Sequence, residues 1–426
     1  MAELLVRDED DATVEDDAAI VVSFYKYVAI ADPEAHAAWQ RARGAALDLR
    51  GRIIVAKEGI NGTLSGASSD CDAYAAELRA VLATAIDVKR SRELAADARR
   101  PFPDLYVKVG GEIVSTGMGP GVRVEGGAPH APAEAFRDKL LAPDASERLL
   151  VLDVRNGFEF DVGHFRGAER APIRTMNEWA TYVDRADVVG RAEGKEILMY
   201  CTGGVRCEKA SAYLKSKGVA AVHQLDGGIH RFLEAYPDGG EVWEGRNFLF
   251  DAREADAYAD EAATASKASD ASGADARAVG TCTDCGAPWG AHAARNICSV
   301  CETLCLVCPS CSRERHEHYC DAHADLRGAY CHFLDVFDAR SLRAVEAALA
   351  DALDAPKAQQ SVNRRRAIRK QLARVAARLA ALDAGDAAAV YDGPPRCRSC
   401  GQTRCDGCWG FWKACAADRP AAQRPQ

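Results

Sequence analysis

The residues of this chain best arranged for chemistry are Cys201, Thr202, Gly203, Gly204, Val205 and Arg206. They follow the apolar run Glu196-Ile197-Leu198-Met199-Tyr200 and lead into Cys207-Glu208-Lys209-Ala210-Ser211-Ala212-Tyr213-Leu214-Lys215, whose composition is helical. A thiol so placed sits at a helix N-terminus, where unpaired N–H groups and the positive end of the helix dipole favour thiolate over thiol. The two glycines let the loop curl its N–H groups inward around an anion, and Arg206 closes the ring with a permanent positive charge. Activated cysteines of this kind titrate within about 3.5–7.5. Cys201 is therefore expected to be an ionised, reachable nucleophile, with residues 202–206 as its anion cradle. An inert core cysteine would not need two glycines and an arginine around it.

Such a loop needs a rigid base. Leu149-Leu150-Val151-Leu152-Asp153 is a second apolar run, helical stretches separate it from the strand before Cys201, and a parallel α/β sheet is the expected result. Asp153 and Arg155 stand at a strand's C-terminal end, where open sheets put ligand-facing residues, and take a supporting role around the loop. The alternative is an exposed ion pair of little worth. Glu159 with Gly163-His164-Phe165-Arg166-Gly167-Ala168, and then Leu225-Asp226-Gly227-Gly228-Ile229, complete a set of motifs. Their order and spacing resemble rhodanese domains, which implies such a domain over residues 129–240. Tyrosine phosphatases space the arginine one residue further from the cysteine to enclose a phosphate, so the shorter loop disfavours that chemistry. His164 is read as a structural turn residue, and Cys207 as a buried helix residue rather than a resolving thiol.

Ahead of this domain, residues 18–125 alternate in the order β-α-β-β-α-β, with a glycine-punctuated hairpin at Arg52 to Ser65 and further strands near 86–89 and 104–109. That order predicts a ferredoxin-like (acylphosphatase-like) sandwich. Residues 1–17 read as an acidic disordered tail, 241–254 as an extension, and 255–280, rich in Ala, Asp and Ser, as a linker. The overall class is α+β and α/β with cysteine-rich C-terminal modules and helices.

The chain has 17 cysteines, most of them late and paired as Cys-x-x-Cys, and no signal-like or membrane-spanning run opens it. Metal-bound thiolates in a reducing, cytoplasmic setting fit better than a disulfide scaffold. Cys282, Cys285, Cys298, Cys301, Cys305, Cys308, Cys311 and Cys320 fill residues 281–335, with His316, His318 and His323 in reserve; two structural zinc sites are plausible and their ligand partition is open. Cys397, Cys400, Cys405 and Cys408 in residues 394–416 predict a third. Between them, residues 338–385 have helical spacing broken near Pro356. Arg364, Arg365, Arg366, Arg369 and Lys370 form a basic face that can lie on nucleic-acid phosphates or be a solvated or paired helix surface. A net charge of −9 excludes a uniformly basic nucleic-acid binder, so any such contact must be local.

Ser23-Phe24-Tyr25-Lys26-Tyr27, Ile30-Ala31-Asp32-Pro33, Lys57-Glu58-Gly59-Ile60-Asn61-Gly62, the Cys201 loop with its helix, Gln224 to Ile229, and Trp243-Glu244-Gly245 with Phe248 to Asp251 resemble the tRNA uridine hydroxylase family. The resemblance implies oxygen-dependent conversion of the wobble uridine of tRNA to 5-hydroxyuridine, with Cys201 as the essential cysteine, molecular oxygen as co-substrate and an unassigned electron donor. A sulfurtransferase carrying a persulfide on Cys201, and a non-catalytic zinc-dependent RNA-binding adaptor, are the competing readings.

Overall fold

The computed structural model describes residues 18–95, 101–118, 122–251, 253, 255–256, 278–385, 390–398 and 401–403. The expected acidic tail, most of the expected linker, and Cys400, Cys405 and Cys408 lie outside the described residues. Two compact units divide the chain, Met1–Ile113 and Val114–Gln426.

In the first unit β1 (Ala19–Tyr27), α1 (Pro33–Ala46), β2 (Arg50–Ala56), β3 (Gly59–Ala67), α2 (Ser68–Leu82) and β4 (Val88–Arg90) follow the expected order, and β5 (Leu105–Val109) forms where the strand near 104–109 is expected. The sheet runs β4-β1-β3-β2-β5. β5 lies parallel to β2, so the sandwich carries a fifth strand beyond the ferredoxin-like four. Helix α1 starts sharply because Asp32 accepts from the Ala35 N–H at 3.0 Å and Pro33 occupies the first turn. Ile20, Val22, Phe24, Ile53, Val55, Leu64, Tyr74 and Leu78 form the core between sheet and helices.

The second unit opens with β6 (His130–Ala131), α3 (Ala133–Leu141), α4 (Ala145–Arg148), β7 (Leu149–Asp153), α5 (Gly157–Phe160), β8 (Gly163–Phe165) and β9 (Glu169–Arg170). It continues with α6 (Trp179–Arg185), α7 (Val188–Arg191), β10 (Glu196–Tyr200), α8 (Val205–Ser216), β11 (Val222–Leu225) and α9 (Gly228–Ala235). The sheet order is β6-β11-β10-β7-β9, and every pairing is parallel. Leu150, Leu152, Ile197 and Met199 enter one apolar core, while Leu149, Val151, Leu198 and Tyr200 enter another on the opposite face. Burial on both faces explains why β7 and β10 read as unbroken apolar runs. Tyr200 lies in register with Asp153, so the chain leaves β7 and β10 at the same level, the edge where Cys201 begins.

Beyond α9, β12 (Trp243–Gly245) returns antiparallel to β8, and β13 (Asn247–Phe248) pairs with β14 (Ala255–Asp256). Ala255 and Asp256 are thus strand where linker was expected. The cysteine-rich segment holds β15 (His292–Ile297), β16 (Leu304–Leu306) and α10 (Pro309–Glu314), followed by α11 (Ala339–Asp354), α12 (Pro356–Gln359) and α13 (Val362–Asp383). Asp338 caps α11 by accepting from the Ser341 N–H at 2.7 Å, and Pro356 separates α11 from α12. Leu342, Val345, Leu349, Ile368, Val375 and Leu379 bury the facing stripes of α11 and α13. Among the described residues no helix is long and apolar enough to cross a membrane.

Candidate active site and metal centres

Strand β10 delivers Cys201 to the N-terminus of α8, and the intervening turn closes on the sulfur. The Gly204 N–H donates to Cys201 Sγ at 3.1 Å. Gly204 reaches this pose at φ +99°, a conformation that glycine alone adopts without strain. Burial on its own would raise the Cys201 pKa, but the Cys207 thiol, the Arg206 charge and the N–H groups of Cys207 and Arg206 outweigh it and bring it down to about 5. Cys207, donating its thiol to the neighbouring sulfur, is driven the other way by burial and by that bond, and stays protonated. Of the expected cradle residues, Gly204 and Arg206 turn N–H groups to the sulfur, and Cys207 adds one from outside that set. The sulfur is not open to solvent, however: Cys201 is 0% exposed, which corrects the expectation of a freely reachable thiolate.

The Arg206 backbone N–H faces the sulfur, but its guanidinium donates elsewhere. Nη1 donates to Glu159 Oε2 at 2.7 Å, Nη2 to Glu159 Oε1 at 2.9 Å, and Nη2 also to Thr202 Oγ1 at 3.0 Å. It influences Cys201 through its charge, while the ring of Phe250 covers the guanidinium at 5.7 Å. Glu159, wholly buried, belongs to the sequence motifs but had no expected role. Its legible signal was the spacing Asn156-x-x-Glu159, a capping box in which Glu159 Oε2 accepts from the Asn156 N–H at 3.0 Å and starts α5. Of the remaining cradle residues, Thr202, Gly203 and Val205 are partly exposed.

The loop is also held from the next helix. The Ile229 N–H donates to the Cys201 carbonyl and the His230 N–H to the Thr202 carbonyl, each at 3.0 Å. Gly228 makes this approach at φ +68°, and a Cβ there would lie 2.5 Å from the Cys201 oxygen. Gly228→Ala is expected to cost about 1–3 kcal/mol in a urea melt from backbone strain, and to raise the pH midpoint of Cys201 alkylation because the loop is pushed off its amides. An unchanged melt and midpoint would show that the loop tolerates the displacement.

Asp153 and Arg155 form no surface pair. Both are 1% exposed, with Arg155 Nη2 to Asp153 Oδ2 at 2.6 Å and Nη2 to the Gly163 carbonyl at 2.6 Å. The Arg155 guanidinium also sits over the rings of Tyr200 and Trp243 at 5.7 and 5.6 Å. The pair braces the end of β7 against β8 and the returning strand β12, one strand away from the cysteine loop. His164 donates from Nδ1 to the Phe160 carbonyl at 3.0 Å and stacks on Phe160 at 3.9 Å, a structural position.

The late cysteines converge in two groups, Cys282, Cys285, Cys308 and Cys311, and Cys298, Cys301, Cys320 and His323, with the ligand atoms of each within 4.8 Å of one another. Tetrahedral zinc with sulfur at about 2.3 Å requires sulfur–sulfur edges of about 3.8 Å. Cys285 and Cys308 are 3.8 Å apart, as are Cys301 and Cys320. His323 Nδ1 lies 3.6 Å from Cys298 Sγ and 3.3 Å from Cys320 Sγ, near the edge of roughly 3.5 Å that a nitrogen vertex requires. Both groups fit a metal ion, and their pairs interleave along the chain. Cys305, expected among the ligands, belongs to neither group. On β16 it alternates with Leu304 and Leu306, which face the apolar cluster around Phe158, so its side chain turns the other way and fills space between the two groups. Of the reserve histidines only His323 joins; His318 donates Nδ1–H to Asp284 Oδ2 at 2.7 Å, and His316 lies beside Phe333 and Tyr391. Cys397 is buried in a turn closed by the Gly401 N–H at 2.7 Å, and its three expected partners lie outside the described residues.

The basic face of α13 is only partly a free surface. Arg364 is turned inward to pair with Asp325, and Arg365 donates to the carbonyls of Ala358 and Gln359. Arg366, Arg369 and Lys370 are exposed.

Comparison with known proteins agrees with this layout. Residues 19–113 match the UPF0176 acylphosphatase-like domain, 136–235 the rhodanese-like domain and 244–324 the rhodanase C-terminal domain. The tRNA uridine(34) hydroxylase of Rhodococcus opacus strain B4 is 36% identical over 303 residues, covering 69% of this chain and 98% of that protein. The protein of the same name from Bacillus pumilus strain SAFR-032 is 38% identical over 240 residues, 55% of this chain and 70% of its own. With its acylphosphatase-like sheet, its cysteine loop on a parallel sheet and a match to 98% of the Rhodococcus opacus protein, the chain belongs to the tRNA uridine(34) hydroxylase family.

Proposed function

We propose that this protein hydroxylates C5 of uridine 34 in tRNA, in an oxygen-dependent reaction with Cys201 as the nucleophile. The observation that carries the reading is the cradle itself: a sulfur in hydrogen-bond contact with the Gly204 N–H at 3.1 Å, beside a guanidinium that cannot lose its proton. In the proposed course the thiolate adds to uracil C6, the C5–C6 π pair moves to C5 and the O4 enolate, and C5 takes an oxygen atom. Loss of the C5 proton and departure of Cys201 then restore the ring. If molecular oxygen is the source, its second atom leaves as water, which requires two electrons and two protons from a separate donor. Loop amides and Arg206 are placed to hold the negative charge that returns to sulfur.

Because Cys201 is enclosed, the uridine must be unstacked and the groups that enclose the sulfur must shift as it enters. Zinc is assigned to the two described groups as a structural ion, since four protein ligands close the shell, and a third zinc is proposed for Cys397, Cys400, Cys405 and Cys408. Exposed Arg366, Arg369 and Lys370 are proposed to meet tRNA phosphates, and the cytoplasm is the proposed location because it keeps such thiolates reduced.

The test is nucleoside mass spectrometry of tRNA from cells lacking the gene. Loss of 5-hydroxyuridine and its derivatives is expected. Their persistence at normal level, together with thiocyanate formation by the purified protein from thiosulfate and cyanide, would hand the site to sulfur transfer instead.

A further inference from the structure

Glu159 reaches Arg206 from α5, and α5 is held in place by the cysteine-rich segment. His292, at the start of β15, is 2% exposed, and its Nε2–H donates to the Phe158 carbonyl at 2.8 Å. Phe158 is the residue immediately before Glu159. The His292 ring also meets the rings of Phe158 and Phe248 at 6.0 and 5.8 Å, and Phe158, Val162, Phe248, Ile297, Leu304 and Leu306 form one apolar cluster. Gly280 presses so close to the same region that a Cβ there would lie 2.4 Å from the Asp161 carbonyl oxygen.

What fixes His292 is its position between ligand pairs. β15 runs from the Cys282/Cys285 pair to the Cys298/Cys301 pair, and β16 from there to Cys308/Cys311, so the two strands are tethered at both ends by the two metal groups. A segment this short, with cysteines at its core, has little apolar area of its own beyond Ile297, Leu304 and Leu306, so the metal groups supply much of what holds the β15–β16 pair in place.

We infer that the metal-bound cysteine module is a positioning device for the Cys201 loop, acting through His292 on Phe158 and Glu159. His292 touches no reacting atom. By holding the α5 backbone it keeps the Glu159 carboxylate at the Arg206 guanidinium, and that ion pair keeps Arg206 beside the sulfur. The groups that face Cys201 are Arg206 and Cys207, and those that face Arg206 are Glu159 and Asp153, so Glu159 is the member of the set whose position depends on the module. The inference rests on the reading of Cys201 as a thiolate nucleophile, but its test reads the thiol itself and not the tRNA product.

The experiment compares the pH midpoint of Cys201 alkylation in the full chain, its His292→Leu and His292→Gln variants, and the wild type stripped of metal by a chelator. His292→Leu keeps the volume and loses the donor, whereas glutamine can still donate to the Phe158 carbonyl. With metal content confirmed as unchanged, His292→Leu should raise the midpoint by about one pH unit, a tenfold loss of thiolate at any pH below the wild-type midpoint, and His292→Gln should stay near wild type. Metal removal should raise the midpoint of wild type and add little in His292→Leu. The inference is overturned if His292→Leu titrates as wild type with its metals in place, if both variants shift alike, or if metal-free wild type keeps its midpoint.

Discussion

Cys201→Ser is expected to abolish 5-hydroxyuridine formation, with a loss of roughly four to six orders of magnitude, the scale seen when an enzyme's nucleophile is removed. Serine fits the cradle sterically, yet its hydroxyl is far less acidic than a thiol, and the same amides and arginine that bring Cys201 down to about 5 leave an alcohol protonated. Folding is expected to survive, because the Gly204 N–H can donate to oxygen as it does to sulfur. The pH behaviour should follow from the same contacts. A thiol lowered from the usual 9.0 to about 5 stabilises the fold fully above the ordinary value and loses that contribution as pH falls through the lowered one. Alkylation of wild-type Cys201 should accordingly be flat with pH from neutrality down to about pH 6 and fall tenfold per unit below about 5. Retention of near-normal hydroxylation by the serine variant would remove thiolate catalysis from the mechanism, and an alkylation midpoint near that of a free thiol would remove the cradle.

Metal withdrawal is expected to have the largest effect on structure. Chelation, or Cys298→Ser in the second group, should unfold residues 282–323 and expose them to protease, since zinc contributes about 10–16 kcal/mol to the folding of comparable small modules. Cys305→Ser is the control: it lies outside both groups, so the variant should retain every metal ion that wild type holds. Elemental analysis of the purified variants checks the partition directly. Equal metal loss from Cys305→Ser and Cys298→Ser would mean that Cys305 is a ligand after all, and a folded, protease-resistant metal-free chain would mean that the groups are not metal sites.

The expected effects separate two kinds of statement about this protein. Local chemistry was legible in the sequence: the cysteine at a strand-to-helix junction, the glycines that admit its cradle, the apolar runs of β7 and β10, and the break of the last helices at Pro356. Each rests on neighbours within a few residues, and such contacts are set by residue type and spacing. Asp153 and Arg155 could be paired from their spacing, but not buried, because burial depends on Tyr200, Trp243 and Gly163, which arrive from elsewhere in the chain.

The partners of the charged groups were decided by the tertiary structure. Arg206 was read as a ligand for the anion, and it is Glu159, 47 positions earlier, that occupies its N–H groups. The ligand sets were equally out of reach, since Cys-x-x-Cys repeats admit several pairings, and only the fold leaves Cys305 beside Cys298 but outside both four-residue groups while it brings His323 in. Composition and spacing thus determine which side chains can ionise, ligate or pack. Which of them meet is set by the folded backbone, because a buried charge or thiolate takes the partner that the topology places within a few ångströms of it, whatever their separation in sequence.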